Sequence, residues 1–429
     1  MAKKVVCVVG LGYVGLPLAL LCAEKGFRVK GLDSDRKKVA LIARGKSPIK
    51  DKELERKVKK LRRKISASAS AKDALQDSDI IVVCVPTPAK GSKPDLRPLK
   101  AACMSIAKHF PAGKKPLLVI ESTVYPGTVR HVVKPIIEGK KLEAGKDFFL
   151  AHCPERIDPG NRKWQLKNIP RVFAALTPKG KARGLAFYKK ILNAKVICLA
   201  NLEEAEAVKV VENTFRDINI AFVNELAKSF EMMGIDLSEV LKGASSKPFG
   251  FMPFWPGPGV GGHCISQDPY YLIARAQESG FTHRFLQLAR EINNSMPKHV
   301  VSLIMKSLRS AGIKPKKAKV VVLGLSYKPD VDDSRESPAI KVIELLRRRG
   351  VNPVSHDPFL LKMSNAKSFA KAVKNADCVV VATHHSQFIK RLTPAFLKRN
   401  KVRAVIDARN VLDKDGIIKK EILYFGIGR

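Results

Sequence analysis

No two cysteines in this chain stand in a C-x-x-C pair, and none joins a histidine at zinc-finger spacing. The eight, Cys7, Cys22, Cys84, Cys103, Cys153, Cys198, Cys264 and Cys378, are scattered, several inside strand-like runs such as "VVCVVG" and "DIIVVCVP". Neither a disulfide framework nor a bound metal is therefore expected. Long apolar runs are missing too. None nears the roughly 18 residues that span a bilayer, and "MAKKVVCVVGLGYVG" has no small-residue cleavage site, so a cytoplasmic protein without a membrane span is expected. Acidic residues are scarce: 39 Asp+Glu against 79 Lys+Arg give a formal net charge of +40. Such an excess invites polyanion binding, because cations on a phosphate backbone release its counterions. The basic residues are nevertheless spread, as in "ERKVKKLRRK", "KPKKAK" and "ELLRRRG", on polar faces of helical patterns and without a nucleic-acid motif. A solvated basic surface is the reading, with no specific nucleic-acid partner.

What is present is a soluble, globular composition, 45% apolar and 28% charged over 429 residues, a length that suggests two or three domains. "KKVVCVVGLGYVGLPLALLCAEKGFRVKGLD" reads strand, glycine turn, helix, strand. Gly10, Gly12 and Gly15 form G-x-G-x-x-G between the first strand and the helix, and Asp33 closes the second strand about 20 residues on. In that frame the glycines permit a tight turn and close approach of a pyrophosphate to the helix N-terminus, while Asp33 binds ribose hydroxyls and repels a 2′-phosphate. NAD is expected over NADP, although the basic "DRKK" that follows tempers this preference.

Further strands are expected at "SDIIVVCVPTP", "KPLLVIESTVYPG" and "DFFLAHCPERIDPG", each ending in polar or turn residues as strands do at the ligand edge of an α/β sheet. Residues 203–232 hold helical periodicity without Gly or Pro, a length that suits a bridge between lobes and a dimer face. After "KPKKAK" strand and helix signals begin again, with "GLSYKPD" in place of the glycine fingerprint, so a second doubly wound lobe is expected to bind something other than NAD. The fold class is thus α/β: two Rossmann-like lobes joined by a long central helix. Polar residues gather at Thr123, Glu155, Lys209 with Asn213, Cys264 with Asp268, and Lys328 with Arg335. Lys209 and Asn213, four apart, share one helix face. Taken singly, each has a structural explanation as a cap, an ion pair or a solvated charge. "PGPGVGGHC" sets four glycines and two prolines before Cys264, where backbone must come close to something.

With these motifs in order, "GLGYVGLPLA", "CVPTP", "ESTVYPGT", "CPERIDPG", "VVENTFRDINIAFVNELA", "KPFGFMPFWPGPGVGGHCISQDPYYL", "GLSYKPDVDDSRESPA" and "DARN", the chain resembles the nucleotide-sugar 6-dehydrogenases over nearly its whole length. The resemblance implies an NAD lobe at 1–200, a central dimerising helical domain at 201–300 and a UDP-sugar lobe at 301–429, in a homodimer. It implies that Cys264 is the nucleophile of a four-electron oxidation, since an aldehyde has no second hydride to give until a thiolate adds to its carbonyl. By the same resemblance Lys209 stabilises the oxyanion and Asn213 polarises it, Asp268 and Thr123 place water and protons, and Glu155 is the base of thioester hydrolysis. The resemblance likewise implies that Tyr13, Val14, Asp33, Lys38, Thr87 and Thr123 lie along the NAD, with Arg335 reaching it from the second lobe, and that Glu155, Arg156, Lys209, Asn213, Gly261, Lys328 and Arg409 bind the sugar nucleotide. His263, next to Cys264 on an extended segment, points away from it and is not assigned as its base. Pro159 stands where the glucose branch has a second glutamate, and "PERIDPG" and "KPFGFMPF" are similar to the branch acting on UDP-N-acetylhexosamines, UDP-N-acetylglucosamine ahead of its manno epimer. Trp255 and "ISQDP" depart from that branch's usual residues but leave Asp268 in place. Two other classes remain open at this point: a two-electron hydroxyacid-type dehydrogenase, and a noncatalytic NAD- or polyanion-binding protein.

Overall fold

The computed structural model describes residues 4–429 apart from 50, 92, 112, 140, 158–160 and 162, so Pro159 lies outside the described residues. The chain forms two compact units. The first comprises residues 1–212 and 270–281, the second 213–269 and 282–429.

In the first unit, β1 (Val5–Val9), β2 (Arg28–Leu32), β3 (Ile65–Ser68), β4 (Ile80–Val83), β5 (Leu117–Ile120), β6 (Phe149–His152), β7 (Arg171–Ala175) and β8 (Val196–Cys198) form one sheet in the order β8-β7-β6-β5-β4-β1-β2-β3. All neighbours are parallel except β6 and β7. Parallel strands covered on both faces are apolar throughout rather than alternating, which "VVCVV" illustrates. Val6 and Val8 enter one core; Cys7 and Val9 enter the other. The order 3-2-1-4-5-6 within this sheet is that of a dinucleotide-binding fold, with its switch point between β1 and β4.

In the second unit, β9 (Val320–Leu323), β10 (Val354–His356), β11 (Cys378–Val381), β12 (Ala404–Asp407) and β13 (Leu423–Gly426) form a wholly parallel sheet in the order β10-β9-β11-β12-β13. This is the other common doubly wound order, with its switch between β9 and β11.

The helices that matter to the site are α1 (Gly15–Glu24), α2 (Leu202–Met233), α3 (Asp268–Glu278), α4 (Arg284–Ser310) and α5 (Pro338–Arg348). The expected long helix is α2. It starts where the Asn201 carboxamide accepts the Glu204 N–H at 2.8 Å while Glu204 turns back to the Ala200 N–H at 2.9 Å, a reciprocal cap. Without an internal Gly or Pro it runs to Gly234, whose φ of +69° ends it. Among the described residues no helix is long and apolar enough to cross a membrane.

Candidate active site

In the first unit the site is built on the turn after β1. Gly10 has a φ of +91°, and a Cβ there would meet the backbone oxygen of Cys84 at 2.8 Å. A Cβ on Gly15 would lie 1.8 Å from the oxygen of Gly10, so only glycine lets α1 start this close to the strand. Gly12, by contrast, faces open space. Val14 caps α1 without a side-chain hydrogen bond, and the first turn holds no acid. These N-terminal amides and the open Gly12 fit a pyrophosphate. Beside them, half-exposed Tyr13 flanks the turn. Asp33 is buried at the end of β2. Its Oδ2 accepts the Leu11 N–H at 2.8 Å, its Oδ1 the Asp35 N–H at 2.9 Å, and Lys38 Nζ lies 3.4 Å away. This fits a ribose at the same edge, with Lys38 sharing the carboxylate.

Two expected cofactor residues meet at the ends of β4 and β5: the Thr87 hydroxyl donates to the Thr123 carbonyl at 2.6 Å. The Tyr271 hydroxyl donates to the Thr87 carbonyl at 2.5 Å. Beyond β6, Glu155 Oε1 accepts the N–H groups of Arg156 and Ile157 at 2.6 and 2.7 Å, and Oε2 is ion-paired to Arg171. Arg171 is fully buried and also reaches Glu121 at 2.6 Å, whose other oxygen accepts the Tyr188 hydroxyl. Burial pushes the Glu121 carboxyl above the usual range, against the pull of Arg171. Arg156 donates to the Pro170 carbonyl at 2.9 Å and pairs with Glu212 of α2.

Lys209 is half-buried on α2, three residues beyond buried Glu206. The Glu206 carboxylate accepts the N–H groups of Gly127 and Val129, both at 2.6 Å, and so ties the "STVYPGT" loop carrying Thr123 to the helix carrying Lys209. Burial pushes the Glu206 carboxyl up to about 7 despite those donors.

In the second unit Asn213 and Asp268 meet. The Asn213 amide donates to Asp268 Oδ2 at 2.5 Å, and both are buried. The Asp268 N–H bonds to the Cys264 carbonyl at 2.8 Å, so Cys264 sits in the turn that opens α3. Of the eight cysteines Cys264 is the exposed one. Burial pushes the thiols of Cys7, Cys103, Cys153 and Cys378 up to about 12, where no thiolate forms near neutral pH. The Arg335 guanidinium is held bidentately by Asp333, at 3.0 and 2.6 Å, near enough to Cys264 to attract a thiolate. His263 is half-buried, and burial followed by Arg335 lowers its pKa. Gly261 and Gly262 pack on Tyr327 and Glu336, where a Cβ would meet Tyr327 carbons within 3 Å. That places the glycine segment against the loop carrying half-buried Lys328. Arg409 donates to the Ala382 carbonyl at 3.0 Å, and its Nη1 would lie 2.8 Å from a Cβ on Gly257. Arg409 thus backs the start of the same glycine segment.

Several site-building residues escape the sequence reading: Glu121, Arg171 and Glu206 in the first unit, and Asp217, Arg290, Asn224 and Asn293 in the second. Arg290 pairs with Asp217 at 2.6 Å, Asn293 donates to Asp217, and Asn224 joins Asn293 to the N–H of Gly257. Glu121 stands one residue past a strand, a position that sequence alone could have marked. The others become visible only when distant segments are brought together.

The models of the UDP-glucose/GDP-mannose dehydrogenase family match along the chain: its NAD binding domain at residues 4–192, its central domain at 203–295 and its UDP binding domain at 321–414. NAD is the cofactor that the first of these implies. A UDP-N-acetyl-D-mannosamine dehydrogenase of Pyrococcus horikoshii is 34% identical over 426 residues, 99% of both chains. A solved structure described as that enzyme from the same organism superimposes with a TM-score of 0.92 at 34% identity, covering 99% of each chain. A UDP-N-acetyl-D-glucosamine 6-dehydrogenase of Pseudomonas aeruginosa is 35% identical over 421 residues, 96% of this chain and 97% of the relative. The chain belongs to the UDP-glucose/GDP-mannose dehydrogenase family, NAD-dependent nucleotide-sugar 6-dehydrogenases.

Proposed function

We propose that this protein oxidises the C6 hydroxyl of a UDP-N-acetylhexosamine to a carboxylate, removing four electrons through a covalent bond to Cys264. The observation that carries the reading is the exposure of Cys264, at the end of a glycine-rich segment and beside the Arg335 guanidinium, in a chain whose other thiols are buried or half-buried. NAD, when bound, accepts one hydride at each of the two oxidations. Between them the Cys264 thiolate adds to the C6 carbonyl of the aldehyde and gives a thiohemiacetal. Loss of the second hydride leaves a thioester, and water cleaves it to the carboxylate and the free thiol. Lys209 places positive charge at the oxyanion that develops in each addition, and Asn213 adds a donor. Asp268, fixed by Asn213, and Thr123 position the water and the protons, with Glu155 as the base that activates that water. Gly10, Gly12, Gly15, Tyr13, Val14, Asp33, Lys38, Thr87 and Arg335 serve the cofactor. Arg156, Gly261, Lys328 and Arg409 serve the nucleotide sugar, and Lys328 meets its diphosphate.

The N-acetyl class is supported by Pro159, neutral where a glucose enzyme carries a glutamate, and by the names of the relatives. The sequence favours the gluco epimer; the Pyrococcus relative, matched over 99% of both chains, favours UDP-N-acetylmannosamine as the second reading. Losing one hydrogen bond and a buried acetyl group on plain UDP-glucose should lower kcat/KM roughly 30- to 1000-fold. Following NADH with the three UDP-sugars side by side tests this. Two NADH per sugar are expected, with either N-acetyl sugar fastest. One NADH per sugar would sink the four-electron reading, and UDP-glucose as best substrate would sink the N-acetyl assignment. We further infer a homodimer through the apolar side of α2, where Phe215 and Phe222, seven residues apart, are about half exposed at 48% and 53%.

A further inference from the structure

The second unit opens as the first does. β9 runs into Gly324 with a φ of +88°, as β1 runs into Gly10 at +91°. The Gly324 N–H bonds to the His356 carbonyl at 2.9 Å, and the Gly10 N–H to the Leu32 carbonyl at 2.7 Å. A Cβ on either glycine would meet the backbone oxygen across the switch point, Thr383 at 2.7 Å and Cys84 at 2.8 Å. Each sheet then supplies an aspartate after its second strand, Asp357 and Asp33, that accepts the N–H of the leucine following the glycine, at 2.7 and 2.8 Å.

The two aspartates then diverge. Asp357 is completely buried. Its Oδ1 accepts the N–H groups of Phe359 and Leu360. Its Oδ2 accepts the Ser326 N–H at 2.9 Å as well as that of Leu325, and lies 2.9 Å from Nε2 of the completely buried His385. With Nε2–H committed to this carboxylate, Nδ1 is the acceptor, and it takes the Asp330 N–H at 2.8 Å. Asp330 has a φ of +60°, a left-handed conformation that a non-glycine residue keeps only where neighbours enforce it. Ser386 holds its other end, donating its N–H to Asp330 Oδ1 at 3.0 Å, and the Thr383 hydroxyl holds the Ser326 carbonyl at 2.5 Å. Loop 325–331 is therefore tied down on both sides of Lys328. It continues to Arg335, whose carbonyl accepts the Gly262 N–H at 3.0 Å, two residues before Cys264.

We propose that His385 is a positioning residue for the nucleotide: oriented by Asp357, it holds the Asp330 backbone and thereby fixes the loop that presents Lys328 to a nucleoside diphosphate. This rests on the reading of Lys328 as a substrate contact. The carboxylate that in the first unit faces a ribose serves here as an internal anchor, and the turn is shaped for a different ligand.

Calorimetric titration of the full-length protein with UDP, and separately with NAD, tests the role. His385→Gln can still donate to Asp357 but removes the acceptor for Asp330. His385→Asn keeps an acceptor where Nδ1 stood and gives up the bond to Asp357. The Gln variant should bind UDP about tenfold more weakly, the Asn variant within about threefold of wild type, and both should bind NAD as wild type does. Equal UDP affinity in wild type and the Gln variant, or equal losses in both variants, would overturn the role of His385. Wild-type protein that bound no UDP would remove the reading of Lys328 and this proposal with it. Should the Gln variant not fold, the Asn variant decides alone, and a loss beyond threefold counts against the proposal.

Discussion

At the scale of single residues, what separates Cys264 from seven other cysteines is water and charge. A thiol inside a sheet loses more by ionising than any nearby cation returns, whereas Cys264 is exposed to water with the charge of Arg335 in range. Replacing it by serine keeps the shape and removes the thiol, because an alcohol is a far weaker nucleophile at neutral pH. Cys264→Ser is expected to lower steady turnover at least about 10³-fold while NAD binding is kept. Two NADH per sugar at near wild-type rate would exclude Cys264 as the nucleophile. Asp33 offers a second test. An unpaired carboxylate facing a 2′-phosphate should cost several kcal/mol, and Lys38 at 3.4 Å offsets part of it, so a preference for NAD over NADP of roughly 100-fold in kcat/KM is expected. Equal values would mean that Lys38 neutralises the site. The expectation for Asp33 rests on a local signal, a glycine turn between strand and helix with an acid closing the next strand, whereas that for Cys264 rests on the family resemblance, because four glycines before a thiol also describe a surface turn. Arg171 was not legible at all. Its only local mark is a strand start, and its meaning comes from Glu121 and Glu155, 50 and 16 positions away.

At the scale of elements, α2 carries Lys209 and ties down the loop that carries Thr123. Glu206 makes that tie with a buried carboxylate whose pKa is raised from 4.5 to about 7, chiefly by burial. A carboxylate that binds its proton more tightly when folded adds stability that is complete below about pH 4.5 and is lost as pH rises through about 7, about 3 kcal/mol in all. Glu206→Gln cannot titrate, but its amide nitrogen cannot accept the N–H that the second carboxyl oxygen takes, an oxygen that keeps a lone pair even when protonated. The variant should therefore be the less stable protein at pH 5 and recover relative to wild type by about 2 kcal/mol or more at pH 8. Denaturation at the two pH values measures this. A stability difference that stayed constant would show that Glu206 does not titrate in this range. The existence and length of α2 were plain from its uninterrupted periodicity. The anchoring role of Glu206 was not, because a glutamate three residues before a lysine has the same local appearance as any solvated helix charge.

At the scale of the whole molecule, the same doubly wound plan occurs twice with different strand orders, one suited to a dinucleotide and one whose first turn runs on into the loop carrying Lys328. Its charge of +40 is spread over the chain rather than gathered in one segment. The apolar side of α2 is the more specific surface feature. Phe222→Lys places a charge on that face without touching the described site, so sedimentation should show a dimer for wild type and a monomer for the variant, with NAD binding unchanged. A wild-type monomer would sink the dimer assignment, and a variant that remained dimeric would sink its placement on the α2 face.

Fold class, cofactor and family could all be read from residue order alone, because each depends on short-range patterns: alternation of strand and helix, a glycine spacing, and motifs kept in order along the chain. Tertiary structure decided how the site residues are held. Asn213 meets Asp268 across 55 positions, Thr87 meets Thr123 across 36, and His385 meets Asp357 across 28. A buried polar group needs a partner, but which one it finds depends on which strand ends the folded sheet brings side by side, and no local pattern encodes that choice.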